Sequence, residues 1–335
     1  MSIEYIESEN VQRTRVYHKN PLTNNSENDF LILIPGNPGL INYYITYLNY
    51  IQEKVPKFEI LCIEYLGFLA QNVKKDSKGN QIIYSVDDQI NHKFEIIKKI
   101  INDRYSISSN KSNIFLLSHS LGGFITERVI LKLLQDDSLS NKFNIKFNGM
   151  ITPTVNNIAQ SESGTALTKL INWNVPFVGI AMSLSLILNY IPTSVLKYIL
   201  TNNWKPPKEI ISKNHHNIGL EHSLEATIQF ISSPSSLNQC LNMAKDEMKV
   251  INDSDLVNDE IFNNKNFFTW CFFAQNDHWV THNTRNHLIS KYSTSVNTKL
   301  EICENLNYPI KHAFVLNQSK EFADITVDRM KPFVE

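Results

Sequence analysis

Short apolar runs alternate with amphipathic stretches along the N-terminal half of the chain, and this alternation limits the possible folds more than any other feature. "FLILIP" (30–35), "FEILCIEY" (58–65), "NIFLLS" (113–118) and "IKFNGMIT" (145–152) are brief, almost wholly apolar and bounded by turn residues. Such runs predict buried strands. Between them, "INYYITYLNYIQEK" (41–54), "DDQINHKFEIIKKIINDRY" (87–105) and "LGGFITERVILKLL" (121–134) carry helical spacing, with Asp87 and Asp88 near the start of the second. Apolar strands alternating with helices imply a mostly parallel sheet covered on both faces.

The alternation stops near residue 154 and resumes near 262. The resumed pattern is "FFTWCFFA" (267–274), a helix near "HNTRNHLISKY" (282–292), a strand near "TKLEIC" (298–303) and a last helix from about Asn317. No internal repeat or Gly/Ser linker divides the 335 residues. The expected organisation is a single α/β domain over 1–335 with a mainly helical cap insertion at about 154–262. A formal net charge of -1 offers no broad basic field for nucleic acid. Four scattered cysteines show neither C-x-x-C spacing nor a disulfide framework. The acidic N-terminus "MSIEYIESEN" lacks the basic and apolar regions of a signal peptide.

The chemistry centres on "FLLSHSLGGF" (115–124), a strand-like run turning into a helix at Ser120. A serine hydroxyl becomes a useful nucleophile only with a base in reach, a group orienting that base and donors for the developing oxyanion. The strained strand-to-helix elbow that exposes such a serine needs small residues two before and two after it. Ser118 and Gly122 meet that need, although the usual G-x-S-x-G pattern begins with Gly. The loop "PGNPG" (35–39) follows the strand "LILI" and offers the backbone N–H of Asn37 as one oxyanion donor; the N–H of Leu121 is the other. Among ten histidines, His312 alone follows residue 290, in a loop between the last strand and the last helix. It is the candidate base. Asp277, in the turn after "FFTWCFFA", is the candidate acid; Asp253, Asp255 and Asp259 lie nearby but do not directly follow a strand-like run. The order Ser120, Asp277, His312 is that of an α/β-hydrolase fold. His278 and His282 have a helix-face metal spacing, but no Glu stands between them, and no metal or cofactor is expected.

These residues resemble the lipid droplet-associated hydrolase family. The resemblance is carried by "IPGNPGLINYY", "QINHK" (89–93), "SHSLGG", "SESGTALT" with its preceding "TPT", "AQNDHW" and "HAFV", and spans roughly residues 30 to 325. Two departures stand out: Ser118 replaces the Gly that opens the family elbow, and Tyr65-Leu66-Gly67-Phe68 replaces a family His-x-Gly-His stretch. The resemblance implies a serine esterase-like protein on lipid droplets and the endoplasmic reticulum, at the cytosolic face, acting on cholesteryl or other neutral lipid esters. By position it implies Ser120 as nucleophile, Asp277 as acid and His312 as base. An acyltransferase or thioesterase with the same triad, or a droplet-surface protein of little activity, are the other readings.

No charged residue occurs between Lys169 and Lys197. Within that stretch "FVGIAMSLSLILNYI" (177–191) is bounded by Pro176 and Pro192. It is shorter than the roughly 20 residues that span a bilayer. It suits either a buried cap helix or a segment dipping into a lipid monolayer, with Trp173, Tyr190, Tyr198 and Trp204 as flanking interfacial aromatics.

Overall fold

The computed structural model describes residues 2–8, 11–24, 29–68, 73–204, 218–252, 256–304 and 309–334. Asp253, Asp255, His215 and His216 lie outside the described residues. Among those described, eight strands form one sheet in the order β1-β2-β4-β3-β5-β6-β7-β8. They are β1 (Ser2–Ser8), β2 (Val11–Lys19), β3 (Asp29–Ile34), β4 (Glu59–Ile63), β5 (Ser112–His119), β6 (Phe143–Ile151), β7 (Phe268–Phe273) and β8 (Thr298–Ile302). From β4 to β8 every neighbouring pair is parallel, whereas β2 runs antiparallel to both β1 and β4.

The apolar runs of the sequence became the central strands. β3 is buried along its whole length and β5 along nearly all of it. Helix α1 (Ile45–Lys54) is entered through a 3-10 turn at Ile41–Tyr44. Helix α2 (Val86–Ser108) starts one residue before Asp87, because Ser85 caps it. The Ser85 side chain accepts from the Asp88 N–H while the Asp88 carboxylate accepts from the Ser85 N–H, satisfying two otherwise orphaned donors. Helix α3 (Leu121–Gln135) follows β5 directly.

Strand order and handedness together place the helices and the site. The chain moves from β3 to β4 on one side, then returns past β3 to β5 on the other. Right-handed crossovers in opposite directions put α1 and α2 on opposite faces of the sheet. The loops that leave β3 and β5 therefore diverge at a switch point, and ligands in open α/β sheets bind in that crevice.

The β1–β2 hairpin has no apolar run in the sequence to announce it. Its strands carry alternating polar residues, and their pairing depends on a partner far along the chain. Arg15 of β2 donates through Nε to both carboxylate oxygens of Glu64 at 3.0 Å, and both residues are buried. Lys93 of α2 donates to the Glu64 carbonyl at 2.8 Å, and His92 contacts Thr14 at 2.5 Å. A buried charge held this way cannot be told from a solvated one until its partner is known.

Between β6 and β7 lie α4 (Glu162–Asn172), α5 (Phe177–Leu188), α6 (Thr193–Trp204), α7 (Ile218–Ile231), α8 (Pro234–Val250) and α9 (Val257–Phe262). The chain closes with α10 (His282–Tyr292), β8 and α11 (Ser319–Val334), which packs beside α1. Helix α5 packs along α8, yet Ser185 is its one buried residue. Ile180, Leu184, Leu186 and Ile187 of α5 are exposed, as are Trp173, Tyr190, Tyr198 and Ile199 around it. The charge-free stretch thus presents an apolar face outward rather than packing as a buried helix. Among the described residues no single helix is long and apolar enough to cross a membrane; α4 and α5 pass that test only as a pair bent by 104°. Trp204 departs from its expected place beside the exposed aromatics and turns inward to line the cavity described below.

Candidate active site

β5 ends at His119, and the chain turns through Ser120 into α3. Ser120 holds φ 52° and ψ -122°, a conformation that costs on the order of 1–3 kcal/mol for a residue with a side chain. Hydrogen bonds on both sides hold it there. Its N–H donates to the Ile151 carbonyl at 3.0 Å, and its carbonyl accepts from Gly123 at 2.9 Å and Thr154 at 3.2 Å. Gly122 is required by close approach: a Cβ there would stand 2.4 Å from the Ile34 carbonyl oxygen and 2.5 Å from that of Pro35. Ser118 is accommodated where the family elbow has Gly. It lies in regular β5 backbone, buried, with its hydroxyl 3.4 Å from the Gly149 carbonyl. The first small position of the elbow therefore needs little volume but no left-handed backbone.

The structure brings Ser120, His312 and Asp277 into one hydrogen-bonded chain. His312 Nε2 lies 2.9 Å from Ser120 Oγ, and His312 Nδ1 lies 2.8 Å from Asp277 Oδ2. A carboxylate can only accept, so Nδ1 carries the proton and Nε2 is left to accept from the serine hydroxyl. Asp277 follows β7, and its other oxygen, Oδ1, accepts from the N–H groups of Trp279 at 2.8 Å and Val280 at 3.2 Å. Burial alone would raise its carboxyl. The His312 ring and those two N–H groups outweigh burial and hold it below the usual carboxylate range. His312 follows β8, with a side chain 15% exposed against 4% for Asp277. Asp259 lies elsewhere, accepting from Lys291 at 2.7 Å and Tyr292 at 2.8 Å. His278 contacts Glu162 at 2.6 Å on the surface.

Leu121 opens α3, so its N–H has no carbonyl one turn back within the helix. The loop carrying Asn37 passes against the elbow. A Cβ on Gly36 would stand 3.0 Å from Ser120 Cβ and 3.1 Å from the His119 carbonyl, so a side chain there would make the loop and the elbow give by a few tenths of an ångström. Both candidate donors, Asn37 and Leu121, therefore sit on segments that touch at Ser120.

Three residues that sequence reasoning passed over stand in this site. His119 stands between Ser118 and Ser120 in the elbow motif. It is buried, and its Nε2–H donates to the His312 carbonyl at 2.8 Å. Its Nδ1 accepts from Tyr44 Oη at 2.7 Å, and that same oxygen accepts from the Gly36 N–H at 2.9 Å. The loop after β3, the elbow and the loop of His312 are thereby linked. Burial first, and then the neighbouring His312, push the His119 ring down to about 3, so it stays neutral. The third residue is Glu247 of α8, whose Oε1 accepts from Asn37 Nδ2 at 2.8 Å. Burial pushes its carboxyl up to about 7, against the opposing pull of the Asn37 hydrogen bond and with a smaller push from Asp246. The Tyr pair in "INYY" was a visible signal for Tyr44; Glu247 had none.

A cavity of about 520 Å³ opens over Ser120 and His312. Tyr43, Leu167, Trp204, Phe230, Leu241 and Trp279 are among the side chains that line it, and most of its wall is apolar. Leu167, Trp204, Phe230 and Leu241 come from α4, α6, α7 and α8, so the helices inserted after β6 supply much of the wall. The arrangement places a mainly apolar wall above the Ser120 hydroxyl.

A mostly parallel eight-stranded sheet, a serine on a strained strand-to-helix turn and inserted helices over it define an α/β-hydrolase. A solved carboxylesterase of the thaumarchaeon Nitrososphaera gargenis shares this fold, with a TM-score of 0.55 at 13% identity over 98% of each chain. The lipid droplet-associated hydrolase of Drosophila melanogaster is 24% identical over 311 residues, 91% of this chain and 90% of its own length. The lipid droplet-associated hydrolase of Dictyostelium discoideum is 24% identical over 298 residues, 88% of this chain and 84% of its own. The profile of the family described as lipid-droplet associated hydrolase matches residues 27–315, and the chain belongs to that family of hydrolases.

Proposed function

We propose that this protein is a serine esterase that cleaves carboxylic esters of neutral lipids, sterol esters among them, at the surface of lipid droplets. The observation that carries the reading is the chain Asp277–His312–Ser120 at the floor of an apolar cavity. Ser120 Oγ attacks the ester carbonyl while His312 Nε2 takes its proton. The carbonyl oxygen becomes an oxyanion, received by the N–H groups of Asn37 and Leu121. Collapse of the tetrahedral species breaks the bond to the alcohol, which leaves with the proton from His312. Water, deprotonated by the same nitrogen, then attacks the acyl-serine, and the fatty acid departs as Ser120 regains its proton. Asp277 keeps His312 in the tautomer that accepts from serine and stabilises the imidazolium. The test is treatment with a long-chain alkyl fluorophosphonate followed by peptide mass mapping, alongside release of fatty acid from emulsified esters. Adduct on Ser120 and acid release are expected; an unlabelled Ser120 in folded protein would overturn the reading.

The exposed apolar face of α5 and α6 is the element proposed to rest on the lipid monolayer, on droplets and on the cytosolic face of the endoplasmic reticulum. A fully buried Leu or Ile contributes about 1.5–3 kcal/mol. Leu184, Leu186 and Ile187 are 56%, 57% and 60% exposed, so burying what remains of the three would contribute about 3–5 kcal/mol together. Replacing all three by Asp is expected to lower partitioning to phospholipid-coated oil droplets by about 10²-fold or more in flotation. Labelling of Ser120 by a water-soluble fluorophosphonate should persist, since these side chains point away from the cavity. Unchanged flotation would exclude this face as the lipid contact.

A further inference from the structure

Asn37 reaches the site on a loop of five residues, and its backbone N–H stabilises an oxyanion only if the peptide plane is aimed at it. That aim has to be set by something outside the loop. The start of the loop is held by the sheet side of the molecule: Gly36 N–H donates to Tyr44, and the Tyr65 hydroxyl donates to the Pro35 carbonyl. Its end is held by the Tyr65 N–H, which donates to the Gly39 carbonyl at 3.0 Å. Asn37 between them is held from the opposite direction. Both described hydrogen bonds of its side-chain amide go to α8, to the Cys240 carbonyl at 3.0 Å and to Glu247 Oε1 at 2.8 Å. Its Oδ1 is buried without a partner among the described residues, so the amide has no second set of contacts to fix it.

Glu247 is an odd residue for this place. It is 5% exposed and lines a cavity whose wall is mainly apolar, beside Cys240, Leu241 and Ala244 of its own helix. A buried carboxyl without a task is costly, and an apolar side chain of similar size would serve the cavity wall better. Nothing in the proposed chemistry uses it as an acid or base. What it does contact is the one loop residue whose orientation the oxyanion site depends on.

We infer that Glu247 is a positioning residue that holds the Asn37 side chain and so aims the Asn37 backbone N–H at the oxyanion, completing the site from the inserted helices. The inference rests on the serine-esterase reading. Its consequence is that the oxyanion site is not finished by the sheet and its loops alone: one of its two donors is aimed by a helix more than 200 residues later in the chain. Misplacing a donor by a fraction of an ångström weakens transition-state stabilisation while leaving ground-state binding in an apolar pocket nearly intact.

Two variants separate the anchor from a merely structural role. Glu247→Leu removes the acceptor but fills the same apolar wall, so folding should be retained. Glu247→Gln keeps an oxygen where Asn37 Nδ2 needs one and removes the ionisation. With a short-chain p-nitrophenyl ester, Glu247→Leu is expected to lower kcat about 10- to 100-fold with KM within twofold. Glu247→Gln should recover kcat to within about threefold of wild type. Affinity for an alkylboronic acid, which forms a tetrahedral adduct on serine, should fall with kcat in the Leu variant and return in the Gln variant. A Leu variant with kcat and boronate affinity within twofold of wild type would overturn the inference, as would a Gln variant as impaired as Leu. Wild-type fluorophosphonate labelling of Ser120 in the same assay tells the two failures apart. If wild type is labelled and Glu247→Leu is unimpaired, only the positioning role falls. If wild type is unlabelled, the esterase reading and this inference fall together.

Discussion

Ser120→Ala is expected to abolish fluorophosphonate labelling and to lower the rate of ester hydrolysis by about 10³-fold or more. The effect is large because in the proposed mechanism the hydroxyl is the atom that forms the bond, and it is the group that His312 Nε2 contacts, at 2.9 Å. The variant should fold normally. Ser120 Oγ makes its hydrogen bond to the site and not to the scaffold, while its backbone contacts to Ile151, Gly123 and Thr154 do not involve the side chain. Alanine accepts the positive φ of the elbow no worse than serine, since both carry one Cβ. Hydrolysis retained at the wild-type level in folded Ser120→Ala protein would show that this constellation is not the source of activity.

His312→Ala should lose activity about as severely as Ser120→Ala, because removing the base from a unit costs nearly as much as removing the unit. Asp277→Asn should be milder, a loss of about 10²–10⁴-fold, and its size follows from how Asp277 is held. Oδ1 accepts from two backbone N–H groups, Trp279 and Val280. An asparagine in the same place must put its carbonyl oxygen there and its NH₂ toward His312. Nδ1 would then have to accept, the ring proton would move to Nε2, and Ser120 would face a donor instead of a base. The loss should appear in kcat more than in KM. Asp259→Asn serves as the comparison, since Asp259 is engaged with Lys291 and Tyr292 away from the site and its variant should hydrolyse normally. Wild-type kcat in Asp277→Asn, or a severe loss in Asp259→Asn, would remove Asp277 from its assigned role.

The parts of this molecule legible in the sequence are those whose physics is local. A short run such as "FLLS" has nowhere to go but a sheet interior, and the boundaries of β3, β5, β6 and β7 fall within two residues of the apolar runs that announced them. The elbow is also local, because Gly122 must be small wherever α3 begins against β3. Chain order then confined the candidate base and acid to the loops after β8 and β7, where His312 and Asp277 stand. The charge-free stretch at 170–196 was visible too, but composition left open whether it faced protein or solvent. Packing settled that: α5 rests on α8 and leaves Leu184, Leu186 and Ile187 outward.

What the sequence left undecided shares one cause, a polar residue whose environment is supplied by a distant segment. In "MAKDEMKV" Glu247 is one more charge on an amphipathic helix, and only the approach of the loop after β3 makes it buried and raises its carboxyl toward 7. His119 next to Ser120 looks like a spacer until Tyr44 and the His312 carbonyl close on its two nitrogens. Arg15 and Glu64 are 49 residues apart and would each be read as surface residues, yet together they fix β2 to the sheet. A hydrophobic side chain reveals its place because nearly any apolar neighbour will satisfy it. A carboxylate, an imidazole or an amide is satisfied only by a particular partner at hydrogen-bonding distance, and that partner is chosen when the segments meet.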